Sequence, residues 1–284
     1  MTPETHWPAT PPAISEHDWL AFLLHGRTVE GMTAPPLPGA AIQAQFVGSC
    51  GPEAFAEATT FCSKLSAAAR KYGAGLRAGS SVLDFGVGWG RLYRVMLNHV
   101  DPKNLVGVDI DQMCIDLCAE AMPYGTFARN DVDPPLAFRD GRFDIVYAYS
   151  VFSHLAPEVA KGWFRDFHRL LRPGGLLLFT TLKAAHLDVW RRQASDAGSN
   201  HSACLQRAEF NYDAWRDRAA RGELLYLPIG GGDCRDASFY GETIIAKPGI
   251  HALARDSGLD VRVFADAGDL PQSFVVLQRP MAST

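Results

Sequence analysis

Apolar positions along the chain follow two alternating rhythms. Short runs of β-type residues, Val82-Leu83-Asp84-Phe85, Leu105-Val106-Gly107-Val108-Asp109, Phe143-Asp144-Ile145-Val146-Tyr147-Ala148-Tyr149 and Leu176–Thr181, are each bounded by turn formers. Gly125–Arg129 supplies a further strand. Between them, apolar residues recur at helical spacing. Pro52 to Tyr72 carries Phe55, Ala58, Phe61, Cys62, Leu65 and Ala69, and Leu92, Val95, Met96 and Val100 mark a second helix. Gln112–Met122 is a third, with Asp111 as its N-cap. A strong amphipathic helix starts at Pro157, and Arg172-Pro173-Gly174-Gly175 is expected to stop it and turn the chain. Strand alternating with helix predicts an α/β fold with a doubly wound, mostly parallel sheet.

The rhythm fails at both ends of this core. Residues 1–15 are rich in proline and small polar residues and are expected to be mobile or draped over the surface. Asp18–Leu24 reads as a short apolar helix, and Thr33–Gly39 as a Pro/Gly-rich link. In 182–245, Ala184–Gln193 and Ala208–Ala220 read as helices separated by the polar Ala194–Cys204, with a Gly230-Gly231-Gly232 loop beyond. This insertion is dense in aromatics, among them Trp190, Phe210, Trp215 and Tyr240. Lys247–Ser257 then reads as a helix, followed by strands at Leu259–Ala265 and Ser273–Arg279 that form an antiparallel hairpin at the sheet edge. The expected organisation is an N-terminal extension (1–50), a core (51–181), an insertion capping the substrate (182–245), and a C-terminal helix and hairpin completing the core (246–284).

Composition narrows the partners. The 284 residues are 47% hydrophobic and 20% charged, with a net charge of −4. That balance is ordinary for a globular protein and gives no electrostatic reason to expect nucleic acid or an anionic membrane. No apolar run approaches the ~20 residues that span a bilayer, and no secretory leader is legible, so a cytoplasmic location is expected. The six cysteines form no CxxC pair. Cys114 and Cys118 read as small core residues, and no metal set is expected.

The chemistry concentrates in Asp84-Phe85-Gly86-Val87-Gly88-Trp89-Gly90-Arg91, where a strand enters a glycine turn ahead of a helix. A dinucleotide fingerprint wants glycine at the first, third and sixth loop positions. Here the glycines are Gly86, Gly88 and Gly90, and the sixth position is Arg91. A carboxylate just ahead of the turn repels a diphosphate and attracts a cationic amino acid. The loop therefore fits S-adenosylmethionine, and a nicotinamide-linked dehydrogenase is disfavoured. Asp109, at the tip of the next strand with Ile110 beside it, is placed for ribose hydroxyls. Asp131, past the following strand, either takes an adenine amino group or is a solvated turn residue. The Pro52–Tyr72 helix either covers the cofactor cleft or pads the sheet face.

Together, VLDFGVGWGR, LVGVDID, NDVD, FDIVYAYSVFSHL and LRPGGLLLF resemble the class I S-adenosylmethionine-dependent methyltransferases, over roughly 80–181 and 246–280. The resemblance implies a seven-stranded sheet whose last strand is antiparallel. It implies that Gly86, Gly88 and Gly90 line the methionine end, that Asp84 engages the amino group, that Asp109 and Ile110 border the ribose, and that Asp131 with the Val132 backbone holds adenine. Phe152 or His154 would border cofactor or substrate. FYGETIIAKPGIHALARDSGLDV and QSFVVLQRP look similar to bacterial methyltransferases of sugars and secondary metabolites.

These expectations define an O-methyltransferase of a small hydroxylated acceptor, working by in-line displacement. A neutral hydroxyl must lose its proton, and His154, at the exit of the fourth strand, is the base to test first; the alternative is a histidine capping the next helix. Tyr240, His186 and His201 are further contributors. The competing functions are N- or C-methylation and a non-catalytic binding protein.

Overall fold

The computed structural model describes residues 7, 11–12, 14–26, 28–29, 31–196, 198–232, 234–266 and 268–281. Most of the stretch expected to be mobile, 1–15, lies outside them. The chain divides into two compact units, Met1–Asn130 with Phe143–Tyr147, and Asp131–Arg142 with Ala148–Thr284.

In the first unit, α1 (Glu16–His25) is capped by Ser15, and a two-residue ribbon follows, β1 (Thr28–Val29) with β2 (Met32–Thr33). Helix α2 (Ala40–Val47) leads to α3 (Gly51–Tyr72). Neither the ribbon nor α2 has a periodic signal long enough to predict. Then come β3 (Val82–Phe85), α4 (Arg91–Met96), β4 (Leu105–Asp109), α5 (Gln112–Ala121), β5 (Thr126–Arg129) and β6 (Phe143–Ala148). β3 pairs in parallel with both β4 and β6, and all four of its residues are buried, as a parallel strand covered on both faces requires.

The second unit opens with 131–142, tied down by Arg169, which donates to the carbonyls of Phe138 (2.6 Å) and Leu136 (2.9 Å) and pairs with Asp140 (2.9 Å). Helix α6 (Pro157–Leu170) runs straight into β7 (Leu171–Thr181). The expected turn at Arg172-Pro173-Gly174-Gly175 is instead the opening of that strand. Its backbone groups are met by a residue distant in sequence: Gly174 N–H donates to Arg279 O and Arg279 N–H to Gly175 O, each at 2.9 Å.

The insertion contains α7 (His186–Ala194), α8 (Asn200–Arg207), α9 (Tyr212–Ala220) and a ribbon of β8 (Leu225–Leu227) with β9 (Glu242–Ile244). Helix α8 falls where a polar link was expected. Ser199 caps it at Ser202 N–H (3.1 Å), and it contributes Cys204 and Leu205 to a core with Trp190 and Trp215. The next helix starts four residues later than its apolar pattern suggests, because Glu209 adopts φ 50° and Asn211 supplies the cap at Ala214 N–H.

Helix α10 (Lys247–Ser257) precedes β10 (Asp260–Ala265) and β11 (Ser273–Gln278). The complete sheet has the order β10-β11-β7-β6-β3-β4-β5, mostly parallel, with β11 antiparallel to both neighbours. The hairpin's last strand is thus interior and wholly buried, and β10 is the edge.

Candidate active site

The glycine turn is built as its sequence requires. Gly86, Gly88 and Gly90 have φ of 79°, 52° and 80°. At Gly90 the constraint is steric as well, because a Cβ would lie 2.7 Å from Arg94 Nη1 and 2.9 Å from Met122 Cε. Gly86 and Val87 N–H both donate to Val108 O at 2.9 Å, and Gly88 N–H donates to Asp109 Oδ2 at 2.8 Å. The other Asp109 oxygen accepts from Asp111 N–H (3.0 Å), and Asp111 itself caps α5 at Met113 N–H. These two amides orient the Asp109 carboxylate at the strand tip.

Two arginines hold the turn from behind. The buried Arg94 guanidinium donates to the carbonyls of Trp89, Gly90 (3.1 Å) and Pro36 (2.8 Å), and burial lowers its pKa to about 10. Arg91 donates to Ala54 O (2.8 Å), while Phe55 packs edge-on against Trp89 at 5.8 Å. Helix α3 therefore contacts the turn itself and does more than pad the sheet. Sequence reasoning passed over Arg94, because a cation in a short helix carries no local sign that its partners are carbonyls.

Asp84 is 3% exposed, and no hydrogen bond of regular geometry reaches its Oδ2 or the Tyr147 hydroxyl on the neighbouring strand, although the phenol lies close enough to favour the carboxylate. Burial pushes the Asp84 carboxyl up to about 8; Tyr147 opposes the rise, Asp109 adds to it and Arg91 lowers it. A buried carboxylate approached by a single hydroxyl is costly unless a further donor arrives. The cationic amino group of S-adenosylmethionine is such a donor, so the residues present fit that cofactor.

In the second unit, Asp131 is exposed, and the Val132 carbonyl accepts from Trp163 Nε1 at 2.9 Å. Phe152 requires a correction. It is 0% exposed, enclosed by Phe164 (4.8 Å), Phe179 (5.0 Å) and Phe167 (6.1 Å), so it is a core residue with no surface to offer a ligand.

His154 does not cap α6. Its ring stacks on Tyr240 with centroids 4.8 Å apart and planes 6° from parallel, and Nδ1 lies 2.8 Å from Gly241 O. A carbonyl only accepts, so Nδ1 carries the proton and the lone pair sits on Nε2. Burial lowers the His154 pKa below its usual 6.5, leaving the ring neutral at pH 7. His186 and His201 sit apart from this pair, on the carboxylate of Glu242 at 3.4 and 3.3 Å, where Trp190 Nε1 also donates. Burial alone would raise the Glu242 pKa, but His186 and Trp190 hold it at about 2. Among the described residues no cluster of His, Cys, Asp and Glu is arranged to bind a metal, and no helix is long and apolar enough to cross a membrane.

The strand order, the acidic residue ahead of a glycine turn and the carboxylate at the next strand tip resemble those of class I, S-adenosylmethionine-dependent methyltransferase domains. Residues 82–175 match the methyltransferase domain family model. The chain is 30% identical over 141 residues to phthiotriol/phenolphthiotriol dimycocerosates methyltransferase 1 of Mycobacterium ulcerans, covering 49% of this chain and 50% of that protein. It is 34% identical over 125 residues to the 23S rRNA (guanine(748)-N(1))-methyltransferase of Streptomyces fradiae, covering 44% and 41%. The chain thus spans half or less of the length of these curated relatives. Streptomyces venezuelae DesVI shares the fold at a TM-score of 0.53 and 14% identity, over 86% of this chain and 99% of DesVI. One relative is named for an RNA, so net charge alone does not exclude a nucleic-acid acceptor.

Proposed function

We propose that this protein transfers a methyl group from S-adenosylmethionine to the oxygen of a small hydroxylated acceptor, sugar-like or aromatic. The observation that carries the reading is the 2.8 Å contact between His154 Nδ1 and Gly241 O, which commits that nitrogen as the donor and leaves Nε2 to accept a proton. Bound S-adenosylmethionine supplies an electrophilic methyl carbon; the new O–C bond forms as the C–S bond breaks, its electron pair going to sulfur.

The chain's own residues bind, orient and move the proton. Asp84 receives the amino group, the Gly86–Gly90 backbone allows close approach, and Asp109 with Ile110 takes the ribose. The assignment of Asp131 and the Val132 backbone to adenine rests on the family resemblance. Nε2 of His154 accepts the acceptor's hydroxyl proton, and Tyr240 keeps the imidazole plane fixed by stacking. The insertion, whose aromatic residues Trp190, Phe210 and Trp215 pack edge to face as its own core, is the acceptor-selecting element of this reading.

Production of S-adenosylhomocysteine across a panel of hydroxylated, amino and carbon-acid acceptors tests it. Turnover with hydroxylated molecules, lost in His154→Ala, is expected. Turnover confined to amines, carbon acids or RNA overturns the acceptor assignment.

A further inference from the structure

Residues 239–243 run antiparallel beside 153–156. Gly241 N–H donates to His154 O (2.8 Å), Thr243 N–H to Ser153 O (2.7 Å) and Ala156 N–H to Phe239 O (2.8 Å). The Thr243 hydroxyl, fully buried, donates to Leu155 O at 2.7 Å. His154 is therefore bonded to Gly241 twice, through its backbone and its ring. Glycine is required at 241, because a Cβ there would lie 2.1 Å from Leu227 O. The next residue is Glu242, whose carboxylate gathers Trp190 and His186 from α7 and His201 from α8. Cause and consequence are then adjacent in the chain. A fixed anion pins the start of β9 to two helices, and the peptide just before it carries the carbonyl that sets the histidine.

We propose that Glu242 is the positioning residue for His154: anchored by Trp190, His186 and His201, it holds the Gly241 carbonyl on Nδ1 and so keeps the lone pair on Nε2. The insertion then acts on the base itself. The proposal rests on His154 being the base, and its logic is that of an orienting group acting through a second residue. Two charged groups act on the imidazole from the insertion: Glu242 favours its protonated form and Arg235 disfavours it.

Nitrogen NMR of the full chain labelled with ¹⁵N-histidine tests this without an acceptor or cofactor, the His154 signals being assigned by their loss in His154→Gln. At pH 8 the wild type is expected to show the Nδ1–H tautomer; an Nε2–H or mixed population overturns the proposal. Glu242→Gln, close in shape but uncharged, is expected to mix the tautomers and lower the pH midpoint of His154 by roughly half a unit. An unchanged tautomer and midpoint in a folded variant overturn it. If Glu242→Gln does not fold, Trp190→Phe removes one donor to the carboxylate while keeping ring bulk. It must also mix the tautomers, and an unchanged spectrum is contrary. The base assignment fails on a different result, undiminished S-adenosylhomocysteine formation by His154→Gln.

Discussion

The amide of Gly88 donates to Oδ2 of Asp109 at 2.8 Å, so the tip of the second parallel strand holds the turn that follows the first. One carboxylate shapes the loop at the position expected to meet the ribose. Asp109→Ala leaves the amides of Gly88 and Asp111 without this acceptor, and a lost charged hydrogen bond typically costs about 1.5–3 kcal/mol. We expect a destabilisation of that order in chemical denaturation, and at least about a tenfold loss of S-adenosylmethionine affinity by calorimetry. Equal binding by variant and wild type removes Asp109 from the site.

With Asp84 as the receiver of the amino group, we expect cofactor binding to be proton-linked. With its carboxyl pushed up to about 8, the group is protonated at neutral pH until a cation arrives. Engaging an ammonium requires the anion, so binding expels about one proton, and affinity rises by up to about tenfold per pH unit between roughly pH 6 and 8. Calorimetry in buffers of different ionisation enthalpy reads the proton directly. A pH-independent affinity with no proton release contradicts this role.

The same group costs stability. The unfolded carboxyl ionises near its ordinary 3.8, whereas the folded one resists until about 8, so stability is lost as pH rises through that window. Asp84→Asn removes the ionisable group. It is expected to be more stable than wild type at pH 8 by on the order of a few kcal/mol, with little difference at pH 3, and to lose cofactor binding. Melting curves at the two pH values check the sign.

Gly90 tolerates no side chain. Its φ of 80° is strained for any side chain, and Gly90→Ala must also displace the side-chain ends of Arg94, Met122 and Cys118. A loss of about 1–3 kcal/mol is expected, together with weakened cofactor binding. Gly48, also at positive φ but with open space around it, is the control: Gly48→Ala is expected to cost only about 1 kcal/mol and to spare binding.

His154→Ala is expected to leave cofactor affinity intact and to lower turnover of a hydroxylated acceptor by about 10²–10⁴. Because burial holds the His154 pKa below 6.5, the acidic fall in wild-type rate lies below that pH. A variant with full turnover assigns proton removal elsewhere.

Much of this was legible in the linear chain because its signals are local. The strands β3 and β4 are near-continuous apolar runs because both of their faces are covered, and Asp84, the three glycines and Asp109 stand at strand ends where side-chain chemistry is little disguised. The order of β3, β4, β5, β6 and β7 could be read for the same reason. Phe152 misled because a phenylalanine near a strand exit has the same local sequence whether it faces a ligand or Phe164, Phe167 and Phe179.

What the sequence determined unaided was the alternation of elements, the glycine turn and the negative charge ahead of it, all set by short-range periodicity and backbone sterics. Tertiary structure alone decided which nitrogen of His154 carries the proton, that Glu242 gathers groups from two helices, that Arg94 holds the turn, and that Arg172-Pro173-Gly174-Gly175 opens a strand. Each of these depends on a hydrogen-bond partner many residues away, and no local pattern records which distant carbonyl or carboxylate a buried polar group will meet.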